Sequence, residues 1–190
     1  MRKLVLLGCL IIIAMSCKAQ QIVPLEKTIE YKLSGGIPDG IYLKDINNLL
    51  PKYMGTWKGT FEGKNYTFII TQFKDDFLGI SVDELLIRYL ITTSNGTVIE
   101  DTRSLPDTSP NVILGDYFSK GATYYVLNYF GNNSGCGQQG TVYIRMKNTV
   151  NTEMSLTFEP NKILLTEESC PGLILAEQLL PRNGMRLTKQ

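Results

Sequence analysis

Alternation of apolar and polar residues with a period of two most constrains this chain. Trp57, Gly59 and Phe61 alternate with Lys58, Thr60 and Glu62. Leu85, Ile87, Tyr89 and Ile91 share one face. Val142, Ile144 and Met146 alternate with Tyr143, Arg145 and Lys147, and Met154, Leu156 and Phe158 with Ser155, Thr157 and Glu159. Successive strand side chains point to opposite faces, so such runs build sheets with one buried face. Close turns separate them. Glu62-Gly63-Lys64-Asn65 precedes a run over Tyr66 to Phe73, Lys74 to Asp76 breaks the chain, and Asn95-Gly96 leads to Val98-Ile99. Leu105 to Asn111 holds two prolines and reads as a loop. Further strands are expected over Val112 to Phe118, Thr123 to Phe130, Ile163 to Thr166 and Met185 to Lys189. The sum is an all-β domain of eight to ten antiparallel strands over residues 45–190, a barrel or, alternatively, a β-sandwich. Asp45 is placed to cap a short helix running to Met54, with Pro51 limiting its length.

The first residues read differently. Arg2 and Lys3 precede an apolar run from Leu4 to Met15, and Ala14-Met15-Ser16-Cys17 follows. A basic start, a short apolar stretch and small residues before a cut form an export signal. The run falls short of the roughly 20 apolar residues that cross a bilayer core. Cys17 and its flanks resemble the bacterial lipobox, which implies a signal peptide over residues 1–16 and an acylated Cys17 that attaches the chain to a membrane. The alternative is ordinary cleavage after Ala19. Residues 17–44, with Gly35-Gly36 and Pro38-Asp39-Gly40, read as anchor and tether.

Composition narrows the chemistry. The 190 residues include no histidine, which removes Ser-His-Asp and Cys-His mechanisms and the usual zinc sites. Nothing calls for a cofactor or a metal. Nineteen basic residues face eighteen acidic ones without a basic cluster, so nucleic acid is not an expected partner. Of four cysteines, Cys9 leaves with the signal and Cys17 takes lipid. Cys136 and Cys170 are left either as a disulfide, which export favours, or as two buried thiols.

At Lys52-Tyr53-Met54-Gly55-Thr56-Trp57-Lys58-Gly59 the sequence resembles the start of a calycin barrel, the fold of lipocalins and fatty-acid-binding proteins. There a short helix leads into a Gly-x-Trp opening the first strand, the Trp plugs one barrel end, and an Arg of the last strand packs over it. The resemblance implies an up-and-down barrel, with Gly55 and Trp57 as the plug and Arg186 as the matching arginine. Over nearly its full length the chain is also similar to a family of short Bacteroidetes lipoproteins of unknown function, through Cys17-Lys18-Ala19-Gln20, Gly55-Thr56-Trp57-Lys58-Gly59 and Arg103-Ser104-Leu105-Pro106-Asp107. This implies an outer-membrane lipoprotein. Lys18-Ala19-Gln20-Gln21 lacks the acidic stretch that sends some such lipoproteins to the cell surface, which favours the periplasmic face.

Three functions follow as expectations. The leading one is a module binding a small apolar or amphipathic ligand, with Tyr124, Tyr125 and Tyr129 as candidate contacts, because their strand is apolar on both faces. The second is an interaction or structural lipoprotein whose barrel is filled by side chains. The third is a carboxylate hydrolase drawing on Asp75-Asp76, Asp83-Glu84, Glu100-Asp101 or Glu167-Glu168. Such chemistry needs two carboxylates facing across a cleft. Solvated charge at strand ends accounts for these pairs as well. The stretch Gly131 to Gly140, rich in glycine and holding Cys136, reads as a hairpin loop or a ligand-facing mouth.

Overall fold

The computed structural model describes residues 20–190, so the signal segment and Cys17 lie outside the described residues. The strands are β1 (Gln21–Pro24), β2 (Ile41–Lys44), β3 (Gly55–Phe61), β4 (Lys64–Phe77), β5 (Ile80–Thr93) and β6 (Val98–Asp101). They continue with β7 (Ile113–Phe118), β8 (Tyr125–Phe130), β9 (Gln139–Met146), β10 (Glu153–Pro160) and β11 (Met185–Lys189). Helix α1 covers Thr28–Leu33, and a 3-10 turn at Pro51–Tyr53 precedes β3.

Eight antiparallel lanes close into an up-and-down barrel in the order β5, β4, β3, β11, β10, β9, β8, β7, and β7 pairs back onto β5 through Leu86 with Leu114 and Ile87 with Ile113. That closure excludes the sandwich. β6 lies in the same lane as β7, bonded to the upper part of β5, and the proline-bearing loop separates them. One barrel end, the lower, holds Gly55, Trp57 and the start of β8. The upper end holds the Gly131–Gly140 stretch and the return from β10 to β11.

Period-two alternation places the interior as the sequence leads one to expect. Trp57, Phe68, Ile70, Leu85, Ile87, Tyr89, Leu127, Val142, Ile144, Leu156 and Leu187 are buried in one contiguous core. The lower end is sealed by Tyr53, whose ring lies 6.4 Å from those of Phe118 and Tyr125. The Trp57 indole is fully buried, and its Nε1 donates to the Tyr53 carbonyl at 2.7 Å.

Four sequence expectations need correction. From Gln21 onward the tether stretch is folded: β1 and β2 run parallel to each other, β2 runs parallel to the start of β5, and Leu25 and Leu43 are fully buried. The only α-helix assigned among the described residues lies there, at Thr28–Leu33. Asp45 instead accepts the amides of Leu49 and Leu50, at 2.7 and 2.9 Å, in a loop ahead of the 3-10 turn, where Pro51 lacks the amide to extend a helix. Lys74 to Asp76 does not break the chain, because β4 and β5 project past the barrel as a hairpin arm whose β4 side is exposed from Lys74 to Phe77, while Ser81 and Asp83 on its β5 side are buried. Ile163 to Thr166 forms no strand.

Arg186 does not cover Trp57. It alternates with buried Met185 and Leu187, so it points outward, pairs with Glu153 and leaves its side chain 70% exposed. Lys189 has the same parity as Leu187, pairs with Trp57 in the strand register, and sets its Nζ 5.4 Å from the indole centroid. Gly55 makes room for it. A Cβ at Gly55 would sit 3.0 Å from Lys189 Cε, and its backbone adopts φ +118°, which favours glycine.

Candidate functional site at the upper mouth

Residues 161–184 carry no regular structure, yet they lie across the upper barrel end as a strap. The Tyr66 hydroxyl donates to the Leu179 carbonyl at 3.0 Å, and the Phe158 amide to the Pro181 carbonyl at 2.8 Å. The Ala176 amide donates to the Cys136 carbonyl at 2.9 Å, and Gln138 Nε2 to the Glu177 carbonyl at 2.9 Å. Leu180 enters the core. A disulfide between Cys136 and Cys170 ties the strap to the Gly131–Gly140 loop. Backbone bonds to side chains and loops replace the ladder a strand would have, which satisfies the buried amides.

Beneath the strap lies a buried polar group. The Tyr89 hydroxyl donates to Glu100 Oε1 at 2.6 Å. Burial raises the Glu100 carboxyl above the usual range, and the Tyr89 hydrogen bond partly opposes this. The Tyr129 ring packs edge-on to Tyr89 at 6.3 Å and to Phe158 at 5.4 Å. The Tyr129 hydroxyl is buried next to that of Tyr89, and the hydroxyls of Tyr53 and Tyr125 are buried at the lower end.

The three tyrosines proposed from the sequence are not gathered into one place. Tyr124 stands half-exposed on the outer face, edge-on to Tyr143 at 5.7 Å. Tyr125, its neighbour, points inward to the lower end against Phe118, with ring centroids 4.7 Å apart. Tyr129 shares that inner face but lies four residues along, roughly 13 Å further up the strand. Grooves of about 630 Å³ lie outside the barrel, one beside β1 and α1 and one across the outer faces of β3, β4 and β11.

Strand alternation also divides the acidic pairs. Glu100 is buried against Tyr89, while Asp101 turns out to Arg103, which donates to it at 2.8 Å. Asp83 is buried and accepts the Tyr42 hydroxyl at 2.7 Å and the Asp45 amide at 2.9 Å. Asp76 pairs with Lys74 at 2.8 Å out on the arm, and Glu167 accepts the Gly172 amide at 3.0 Å within the strap. Sequence reasoning passed over Tyr89, Gln138 and the strap. Tyr89 reads as one more apolar strand residue, and only the fold brings Glu100 to it.

Glu84 points to the outside of the wall, near the ion pair between Lys32 of α1 and Asp116. Burial, then Asp75 and Asp116, push its pKa up to about 8, against the pull of Lys32. The native state therefore holds a proton that the unfolded chain releases above about pH 4.5. Stability falls as pH rises from that value through about 8. Glu84→Gln should stabilise the protein at pH 8 relative to wild type by on the order of 2 kcal/mol, after discounting for partial exposure, and by much less at pH 5. Equal differences in urea melts at the two pH values would refute this.

Comparison with known protein families matches residues 1–166 to one described as a family of unknown function (DUF6705). The chain belongs to that family. The match spans the barrel from β1 through β10 and reaches into the start of the strap. Comparison with the curated proteins and with the solved structures found no match.

Proposed function

We propose that this member of DUF6705 is an exported, lipid-anchored barrel that works by presenting a surface to a protein partner, with its interior serving as scaffold. The observation behind this reading is the side-chain filling of the barrel: aromatic and branched residues from all eight lanes pack in one cluster, with Tyr53 and Trp57 at one end and Leu180 at the other. A carrier needs a concave apolar site that buries most of its ligand. The surface offered is the strap, where Leu164 is 88%, Ile174 75% and Leu175 65% exposed, held in place by the disulfide. Exposed apolar stretches of this kind suit protein contacts. Cys17 supplies the anchor, and the periplasmic face of the outer membrane is the proposed location.

A second reading, a ligand carrier, draws on the Tyr129 hydroxyl, buried beneath the strap. A guest admitted by strap opening would reach that group, whereas Tyr125 lies at the opposite, sealed end. A native mass spectrum of the protein purified from its own envelope separates the two. The scaffold reading expects the acylated mass alone, and in-cell photocrosslinking from the Ile174 position to a defined partner, lost on Leu175→Asp. A reproducible additional mass released on denaturation would replace it with the carrier reading.

A further inference from the structure

At the lower end, the β4–β5 arm ends in a two-residue turn, Leu78-Gly79, closed by the pairing of Phe77 with Ile80. Both turn residues have positive φ, +47° for Leu78 and +79° for Gly79, the pattern of a type I′ turn. Asparagine, aspartate or glycine normally fills the first of these positions, since a larger side chain is strained there. Here it is a leucine, 76% exposed, beside Phe77, 65% exposed. Among the described residues, neither packing nor backbone preference explains an apolar residue at this point.

The position of the tip supplies a reason. The described chain begins against the arm: Gln20 Nε2 donates to Ser81 Oγ at 2.7 Å, the Gln21 amide to the Gly40 carbonyl at 2.8 Å, and the Gly40 amide to the Gly79 carbonyl at 2.9 Å. Lys18 and Ala19 alone separate Gln20 from Cys17. Three residue steps span at most roughly 10 Å even fully extended. An acyl anchor at Cys17 therefore holds this end of the barrel at the bilayer surface.

We propose that Phe77 and Leu78 seat in the bilayer interface beside the acylated Cys17, so that the barrel stands on the membrane by its hairpin arm with the strap facing away. This rests on the reading of Cys17 as the lipid anchor. The attraction is apolar. Among the described residues near the tip, Lys44 and Lys74 lie over the Tyr42 ring, Lys74 is paired with Asp76, and Asp39 Cβ lies 3.9 Å from the place a Gly79 Cβ would take, so charges of the two signs offset one another there. Acyl chains give the attachment, and the two side chains set the orientation.

The test uses full-length acylated protein in vesicles of phosphatidylethanolamine and phosphatidylglycerol carrying acyl-brominated lipid. Leu78→Cys and Leu164→Cys variants each bear a bimane label, both at exposed positions that leave the core untouched. The label at position 78 should shift to the blue and lose intensity to the brominated chains, at low and high salt alike, while that at position 164 should not change. Unquenched label at position 78 on acylated, vesicle-bound protein overturns the orientation and leaves the anchor standing. Protein without acyl mass at Cys17 that stays in solution overturns the anchor reading, and the orientation with it.

Discussion

Trp57→Ala should lower the free energy of unfolding by about 3–5 kcal/mol, the usual cost of truncating a buried aromatic to alanine. The site is poorly placed to collapse around the loss. Trp57 sits on a strand bonded on both sides, to β4 through Phe68 and to β11 through Lys189, so backbone movement into the void would break ladder bonds. Removal also strands the Tyr53 carbonyl that the indole Nε1 satisfies. The chain has one tryptophan, so the melts must be followed by circular dichroism rather than by intrinsic tryptophan emission. Two companion variants locate the effect. Lys189→Met should cost less than about 1 kcal/mol, the scale of a partly exposed cation over an indole. Arg186→Met should change almost nothing, because its partner among the described residues is Glu153, in an exposed ion pair. A Trp57→Ala loss below about 1 kcal/mol would show that the lower end is held by Tyr53, Phe118 and Tyr125 without the indole.

Where alternation was clean, as in Val142 to Met146 and Met154 to Phe158, the strands, their inward faces and the barrel class were legible from sequence, because one face of each meets the core and the other water. Legibility failed wherever structure was set by partners distant in sequence. β1, α1 and β2 read as tether because each is short and is held only by docking, β2 onto the start of β5, β1 onto β2 and α1 against β7. The arm reads as a break because its β4 side is exposed from Lys74 to Phe77, which leaves that segment polar. Arg186 matches by residue type, whereas its alternation with apolar Met185 and Leu187 puts it on the outer face and Lys189 on the inner one. The buried pair of Tyr89 and Glu100 could not be read at all. Its members lie on neighbouring strands, and nothing local distinguishes Glu100 from the exposed Asp101 beside it. The disulfide was open in the sequence, since two cysteines in an exported chain allow pairing without requiring it.

Cys136→Ser with Cys170→Ser should lower stability by about 3–4 kcal/mol, the chain-entropy expectation for a cross-link across 34 residues. Both cysteines are replaced together so that neither is left as a free thiol. The loss should also have a location. The bonds from Ala176 to Cys136 and from Gln178 to Gly137 hold the strap beside the cross-link, whereas Tyr66, Phe158 and Leu180 hold it nearer β11. Hydrogen exchange of the Ala176 amide should therefore quicken in the double variant well before that of the Phe158 amide, which donates to Pro181. Uniform acceleration of both would mean that strap and barrel open as one unit. In that case an interior guest could enter only with the barrel itself unfolding, and the carrier reading would lose its route. Selective loosening would show the strap to be a separate, disulfide-governed element. The exposed Leu164, Ile174 and Leu175 would then be presented in a fixed arrangement only while the bond is oxidised. A stability loss below about 1 kcal/mol would place the control of the strap in its hydrogen bonds and the buried Leu180 instead.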